Sequence, residues 1–129
     1  MSKEFITPTG VHQPRGYSHA VKAGNIIFVA GQVGWDEERR IAQDSFESQA
    51  VQAFENLKRV LEASGATLQD VVKINIYLKD VKALPKFREI RDRYFQPPYP
   101  ASTLVQIVSL ASPELLIEIE AVAAVDQTI

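Results

Sequence analysis

The sequence predicts an α+β fold: a mixed sheet with two helices on one of its faces. Two segments repeat apolar residues at helical spacing, and the segments around them alternate or run apolar as strands do. Their order along the chain is ββαβαββ. The 129 residues suffice for one core, and no repeat, linker or low-complexity tract divides them. Residues 1–129 are therefore expected to form a single domain.

Tyr17–Lys22 and Ile26–Ala30 read as strands joined at Ala23-Gly24-Asn25, a turn composition that suits a hairpin. The second of these is apolar without alternation, which predicts burial on both faces. "DSFESQAVQAFENLKRVLEASG" is the clearest helix. Asp44 is its expected N-cap, with Glu47 three residues on, and Gly65 ends it. Ala50, Val51, Phe54, Leu57, Val60 and Leu61 form its apolar stripe. "DVVKINIYLKD" then alternates, with Val72, Ile74, Ile76 and Leu78 towards the helices and Lys73, Asn75 and Tyr77 opposite. A second helix is expected from Leu84 to Phe95, with Pro85 in its first turn and Leu84, Phe87, Ile90, Tyr94 and Phe95 as its stripe. "QPPYPA" stops it, because proline lacks the amide donor and clashes with the preceding turn. Ser102–Val108 and Leu115–Val125 are the closing strands.

The last strand, "LLIEIEAVAAV", poses a packing problem. Its odd positions are wholly apolar and suit the helices, whereas the even face carries Leu116, Glu118, Glu120, Val122 and Ala124. Helices on one side cannot cover that second face, and it is too apolar to leave in water. Another copy of the chain is the expected cover, which sets Glu118 and Glu120 at or near a subunit boundary.

Composition excludes several function classes. A net charge of −2 offers no basic field for nucleic acid or anionic lipid. Absence of cysteine removes disulfides, thiolate catalysis and thiolate metal sites. His12 and His19 are the only histidines, too few for a zinc site, and they read as satisfied structural residues. No glycine-rich phosphate loop occurs. The N-terminal residues carry no signal-like apolar run and no segment is long enough to span a membrane, so a cytoplasmic location is expected.

"VKAGNIIFVAGQVG", "DVVKINIYLKD", "YPAST" and "IEIEAVA" resemble, in order and spacing, the Rid (YjgF) family of enamine/imine deaminases. The resemblance covers nearly the whole chain. It implies a chorismate-mutase-like fold, a homotrimer whose sheets pack into a central barrel, clefts between subunits, and a small-molecule ligand with no metal or cofactor. Residue by residue, Tyr17 matches a family tyrosine, and His19 stands where a glutamine is usual. Ala30-Gly31-Gln32 matches the segment whose backbone, at Gly31, helps hold substrate. Glu120 matches the glutamate implicated in placing the attacking water. One position departs. Pro100-Ala101-Ser102 occupies the place of a Pro-Ala-Arg whose arginine grips the substrate carboxylate.

That departure matters energetically. A guanidinium offers a carboxylate two parallel charged hydrogen bonds of roughly 1.5–3 kcal/mol each, and Ser102 offers one neutral hydroxyl. Arg88 on the second helix and Arg15 ahead of Tyr17 are the candidate substitutes. Arg88 also has an ordinary reading as a surface partner of Asp92 four residues on. Trp35 reads equally as a cavity wall or as packing on its own hairpin, and Glu118 as structural. Two functions follow. One is an enamine/imine hydrolase with Glu120 orienting water and Tyr17, Gly31, Ser102 and Arg88 binding substrate. The other is a non-catalytic trimeric ligand-binding or regulatory protein, favoured if Glu120 is locked in an ion pair.

Overall fold

In a computed structural model the described residues are 2–41 and 45–126. Strands β1 (Lys3–Ile6), β2 (Ala20–Ala23) and β3 (Ile26–Val33) precede helix α1 (Phe46–Ala63). Strand β4 (Val71–Leu78), helix α2 (Leu84–Arg91) and strands β5 (Ala101–Gln106) and β6 (Ile117–Ala124) follow. The strands make one sheet in the order β1-β2-β3-β6-β4-β5. Only β4 and β5 are parallel, since α2 carries the chain across between them. The mixed sheet with two helices is thus the architecture the sequence predicts.

Helix α1 begins at Ser45, whose hydroxyl accepts from the Ser48 amide at 3.1 Å. The cap expected at Asp44 lies outside the described residues. At the other end Gly65 has φ +82°, and the Gly65 and Ala66 amides return to Glu62 and Leu61. This paired capping needs a left-handed residue, which is why glycine stands there. Ala50, Phe54, Leu57, Val60 and Leu61 of its stripe are fully buried. Buried Gln49 does a different job: its amide donates to the Glu114 carbonyl at 2.9 Å and accepts from the Leu116 amide at 2.8 Å. It ties the entrance of β6 to the helix.

Several boundaries differ from expectation for identifiable reasons. Helix α2 stops at Arg91, and the Tyr94 and Phe95 amides both bond the Arg91 carbonyl in a closing turn. The turn still brings Tyr94 and Phe95 onto Phe54, with ring centroids 4.7 and 6.1 Å away. Strand β1 was not predicted, because four residues with exposed Lys3, Glu4 and Phe5 carry no periodic signal. In β4 an irregularity between Val71 and Lys73 leaves Val72 without a partner on β6. Val71 takes the helix side and Val72 is exposed, correcting the expected face. Strand β3 is not buried on both sides either, for Phe28 is 51% exposed in the single chain.

Register explains that exposure. Phe5 pairs Val21, Val21 pairs Phe28, and Phe28 pairs Val122. Laterally paired residues share a face, so these four form an apolar row on the side away from the helices. Phe5 and Phe28 are both exposed there.

Candidate active site

The site begins with a bulge. Val29 pairs Ala121 and Gln32 pairs Ile119, so Ala30 and Gly31 together oppose the single residue Glu120. A Cβ at Gly31 would overlap the Glu118 carboxylate, so only glycine lets that side chain lie against the strand. Alternation on β6 sends Glu118 and Glu120 to the face without helices. Next to them on β4 are Tyr77 and Asn75, their register partners.

Glu120 receives two hydrogen bonds on one oxygen. Asn75 donates to Oε1 at 3.1 Å, and the Tyr77 hydroxyl donates to the same atom. Among the described residues no cation pairs with Glu120, and Oε2 has no protein donor. Bonding to Glu120 holds the Tyr77 hydroxyl above its ordinary pKa. Burial pushes the Glu118 carboxyl up, and the neighbouring Glu120 charge adds to this.

Both carboxylates line a cavity of about 510 Å³ together with Tyr17, Gly31, Arg15 and Trp35. That volume suits a small ligand. The far wall comes from the long connection between β1 and β2 and from the turn after β3. Tyr17 is held through two buried histidines. His12 Nε2 lies 2.9 Å from the Tyr17 hydroxyl, and His19 Nε2 donates to the His12 carbonyl at 2.7 Å. His19 Nδ1 is then the acceptor for the Gln32 amide at 3.1 Å. Burial first, and then the His19 and Arg39 charges, bring the His12 pKa down to about 4. His12 is therefore neutral near pH 7.

His12 Nδ1 is buried with no partner. An orphaned N–H costs more than an orphaned lone pair, so the proton belongs on Nε2. His12 then donates to Tyr17, which leaves the phenol proton available to the cavity.

Of the residues singled out in the sequence, the fold brings Tyr17, Gly31, Glu120 and Arg15 to one cavity. Trp35 lines it too. Ser102 and Arg88 are not there. Ser102 is exposed on edge strand β5 and pairs Ile74, so it shares the helix-covered face rather than that of Glu120. Arg88 is exposed on α2, and Asp92 pairs with Arg91 instead. Sequence reasoning missed Glu118 as a cavity residue, although its two-residue spacing from Glu120 signalled a shared face. It also missed Arg39, which lines the cavity. Among the described residues no group of three or more His, Asp or Glu stands together as a metal site. No described helix is long and apolar enough to cross a membrane.

The chain belongs to the endoribonuclease L-PSP family, whose model matches residues 10–125; this is the Rid (YjgF) family that the sequence motifs resemble. A RutC family protein of Pyrococcus abyssi is 42% identical over 95% of this chain and 98% of its own. A 2-iminobutanoate/2-iminopropanoate deaminase of Dermatophagoides farinae is 34% identical, over 96% of this chain and 98% of its own. The crystal structure of RidA from an Antarctic Psychrobacter superposes with TM-score 0.90 at 35% identity, covering 95% of this chain and 99% of the other.

Proposed function

We propose that this protein is an enamine/imine hydrolase that releases ammonia from a small reactive nitrogen metabolite. The observation that carries the reading is Glu120: held on one oxygen by Asn75 and Tyr77, facing a cavity, and not tied up in an ion pair among the described residues. An acceptor of that kind can orient water towards an iminium carbon. The relative named as an imine deaminase, similar along nearly its full length, supports the same chemistry.

In the proposed reaction the water oxygen bonds to the iminium carbon while its proton passes to Glu120. The carbon–nitrogen double bond becomes single in the carbinolamine. Glu118, whose carboxyl is held protonated more readily than usual, gives a proton to the nitrogen. The C–N bond then breaks, its electrons leave with ammonia, and the hydroxyl proton returns to Glu118 as the carbonyl forms. An enamine enters after tautomerising to the imine. Tyr17 and the Gly31 backbone bind the substrate.

A homotrimer in the cytoplasm is the proposed working form. The apolar row Phe5, Val21, Phe28 and Val122 is the surface that a second copy would cover. A neighbouring copy is also the route by which Ser102 and Arg88 would reach a cavity that their own chain keeps them from.

The test is ammonia release from imines generated in solution from several amino acids. Glu120→Gln is expected to lower the rate at least about 10²-fold, the ordinary contribution of a positioned acid or base, while leaving the fold intact. No acceleration by the unaltered protein with any imine overturns the reading in favour of a binding protein.

A further inference from the structure

Arg39 is held in the cavity wall by an unfavourable backbone. It is the one non-glycine residue with positive φ among those described, at +62°. The Asp36 side chain ties its turn, accepting from the Glu38 and Arg40 amides at 2.9 Å each, and the Trp35–Ile41 bridge closes it. Gly, Asn or Asp fits such a left-handed position at least cost, and an arginine there is strained. Strain of this sort collects where a side chain's placement serves function.

The side chain is placed with care. Its guanidinium lies over the Trp35 ring, 4.8 Å from the centroid, and one nitrogen donates to the Gln13 carbonyl at 2.8 Å. The adjacent acids, Asp36 and Glu38, pair with Arg40 instead. Arg39 therefore keeps donors for a ligand, since a guanidinium has five N–H groups. Arg15 lines the same cavity from the β1–β2 connection.

Glu120 supplies the opposite charge from β6, with the Glu118 carboxyl beside it. Among the described residues no ion pair within 4.0 Å joins either arginine to either glutamate. Tyr17 stands within the influence of both poles: Arg39 draws its hydroxyl pKa down and Glu118 draws it up, against a larger upward push from burial. Two unneutralised poles in one small cavity suit a ligand that carries both charges.

We propose that Arg39 is the anion-binding, specificity-determining residue of this cavity, and that the ligand is a small zwitterion with its carboxylate on Arg39 and its cationic nitrogen at Glu118 and Glu120. This rests on the proposed hydrolase reading for the nitrogen end alone. The anionic end is read from Arg39 and does not need Ser102 or Arg88.

The probes are 2-oxobutanoate, a stable carboxylate with oxygen in place of the imine nitrogen, and its neutral amide. Binding is measured by calorimetry on the full chain. The unaltered protein should bind the acid in preference to the amide. Arg39→Gln should weaken the acid by about 10- to 100-fold and leave the amide unchanged, as loss of charged hydrogen bonds implies. Arg39→Gly, which removes the backbone strain and so keeps the fold, should show the same loss, and Lys58→Gln, exposed on α1 and away from the cavity lining, should show none. Equal affinity for acid and amide, no binding of the acid, or full affinity in Arg39→Gln overturns the proposal. Arg39-dependent binding without ammonia release from any imine sinks the hydrolase reading and leaves the anion site standing. Ammonia release with a KM unmoved by Arg39→Gln does the reverse.

Discussion

One face of the β6 strand and the other are made from the same eight residues, Ile117–Ala124, yet they meet different surroundings. Ile117, Ile119, Ala121 and Ala123 are buried under the chain's own helices, while Glu118, Glu120, Val122 and Ala124 are only partly covered. The helix side spends its apolar residues on stability. The other side combines an apolar row with two carboxylates and a cavity, an arrangement that adds little to the folding of a single chain. Stability and chemistry are thus separated by the pleat of one sheet, so substitutions two residues apart stay on one face and substitutions one apart change face.

The largest expected contrast is between two phenylalanines. Phe54 is fully buried against Tyr94 and Phe87, and Phe54→Ala should cost about 3–5 kcal/mol in denaturant unfolding. Phe28 is half-exposed on the other face, and Phe28→Ser should cost about 1 kcal/mol or less in the dissociated chain. If light scattering instead shows the unaltered protein as the proposed oligomer and this variant as single chains, the open face is the interface. Equal losses in the two variants at a concentration where the chain is alone would erase the distinction between the faces.

A subtler contrast lies in two glycines three positions apart. A Cβ at Gly34 would meet Gln49 side-chain and backbone atoms at 2.7–2.8 Å, so Gly34→Ala must push α1 from the sheet. A loss of about 1–3 kcal/mol is expected by thermal or denaturant unfolding. The atoms nearest a Cβ at Gly31 belong to the Glu118 side chain, from Cγ to the carboxylate, which can swing away. Gly31→Ala should therefore keep most of its stability, about 1 kcal/mol or less being lost, but impair ammonia release by displacing that carboxylate.

Smallest near neutrality, and growing as the pH falls, is the contribution of His12. Its pKa is about 4 in the folded protein against an ordinary 6.5, so between those values the unfolded chain binds a proton that the folded chain refuses. Stability must then fall as pH drops from 6.5 towards 4. Glu118 acts with the opposite sign, because its raised pKa makes ionisation unfavourable as pH rises through the carboxylate range. Comparing the protein with His12→Asn across that window isolates the histidine. An unchanged pH slope in His12→Asn would show that His12 is not held neutral.

Much of the helix-covered half was legible in the residues. The stripe of α1, the stop at Gly65, the hairpin at Gly24 and the two-sided character of β6 all follow from local periodicity and turn chemistry. The site was legible in pieces. Tyr17, Gly31 and Glu120 were singled out by family motif, and they do share a cavity. Arg39 carried no periodic or motif signal, because what distinguishes it is a backbone angle and a stacking partner that exist only after the turn closes.

By itself the sequence determined the fold class and the unequal faces of its last strand, because side-chain alternation and helical spacing are properties of neighbours in the chain. Only the tertiary structure decided which loops lean over the carboxylates, which arginine joins them, and that Ser102 looks away. Those outcomes depend on register, on the bulge opposite Glu120 and on contacts between residues far apart in the chain, and local pattern does not encode any of them.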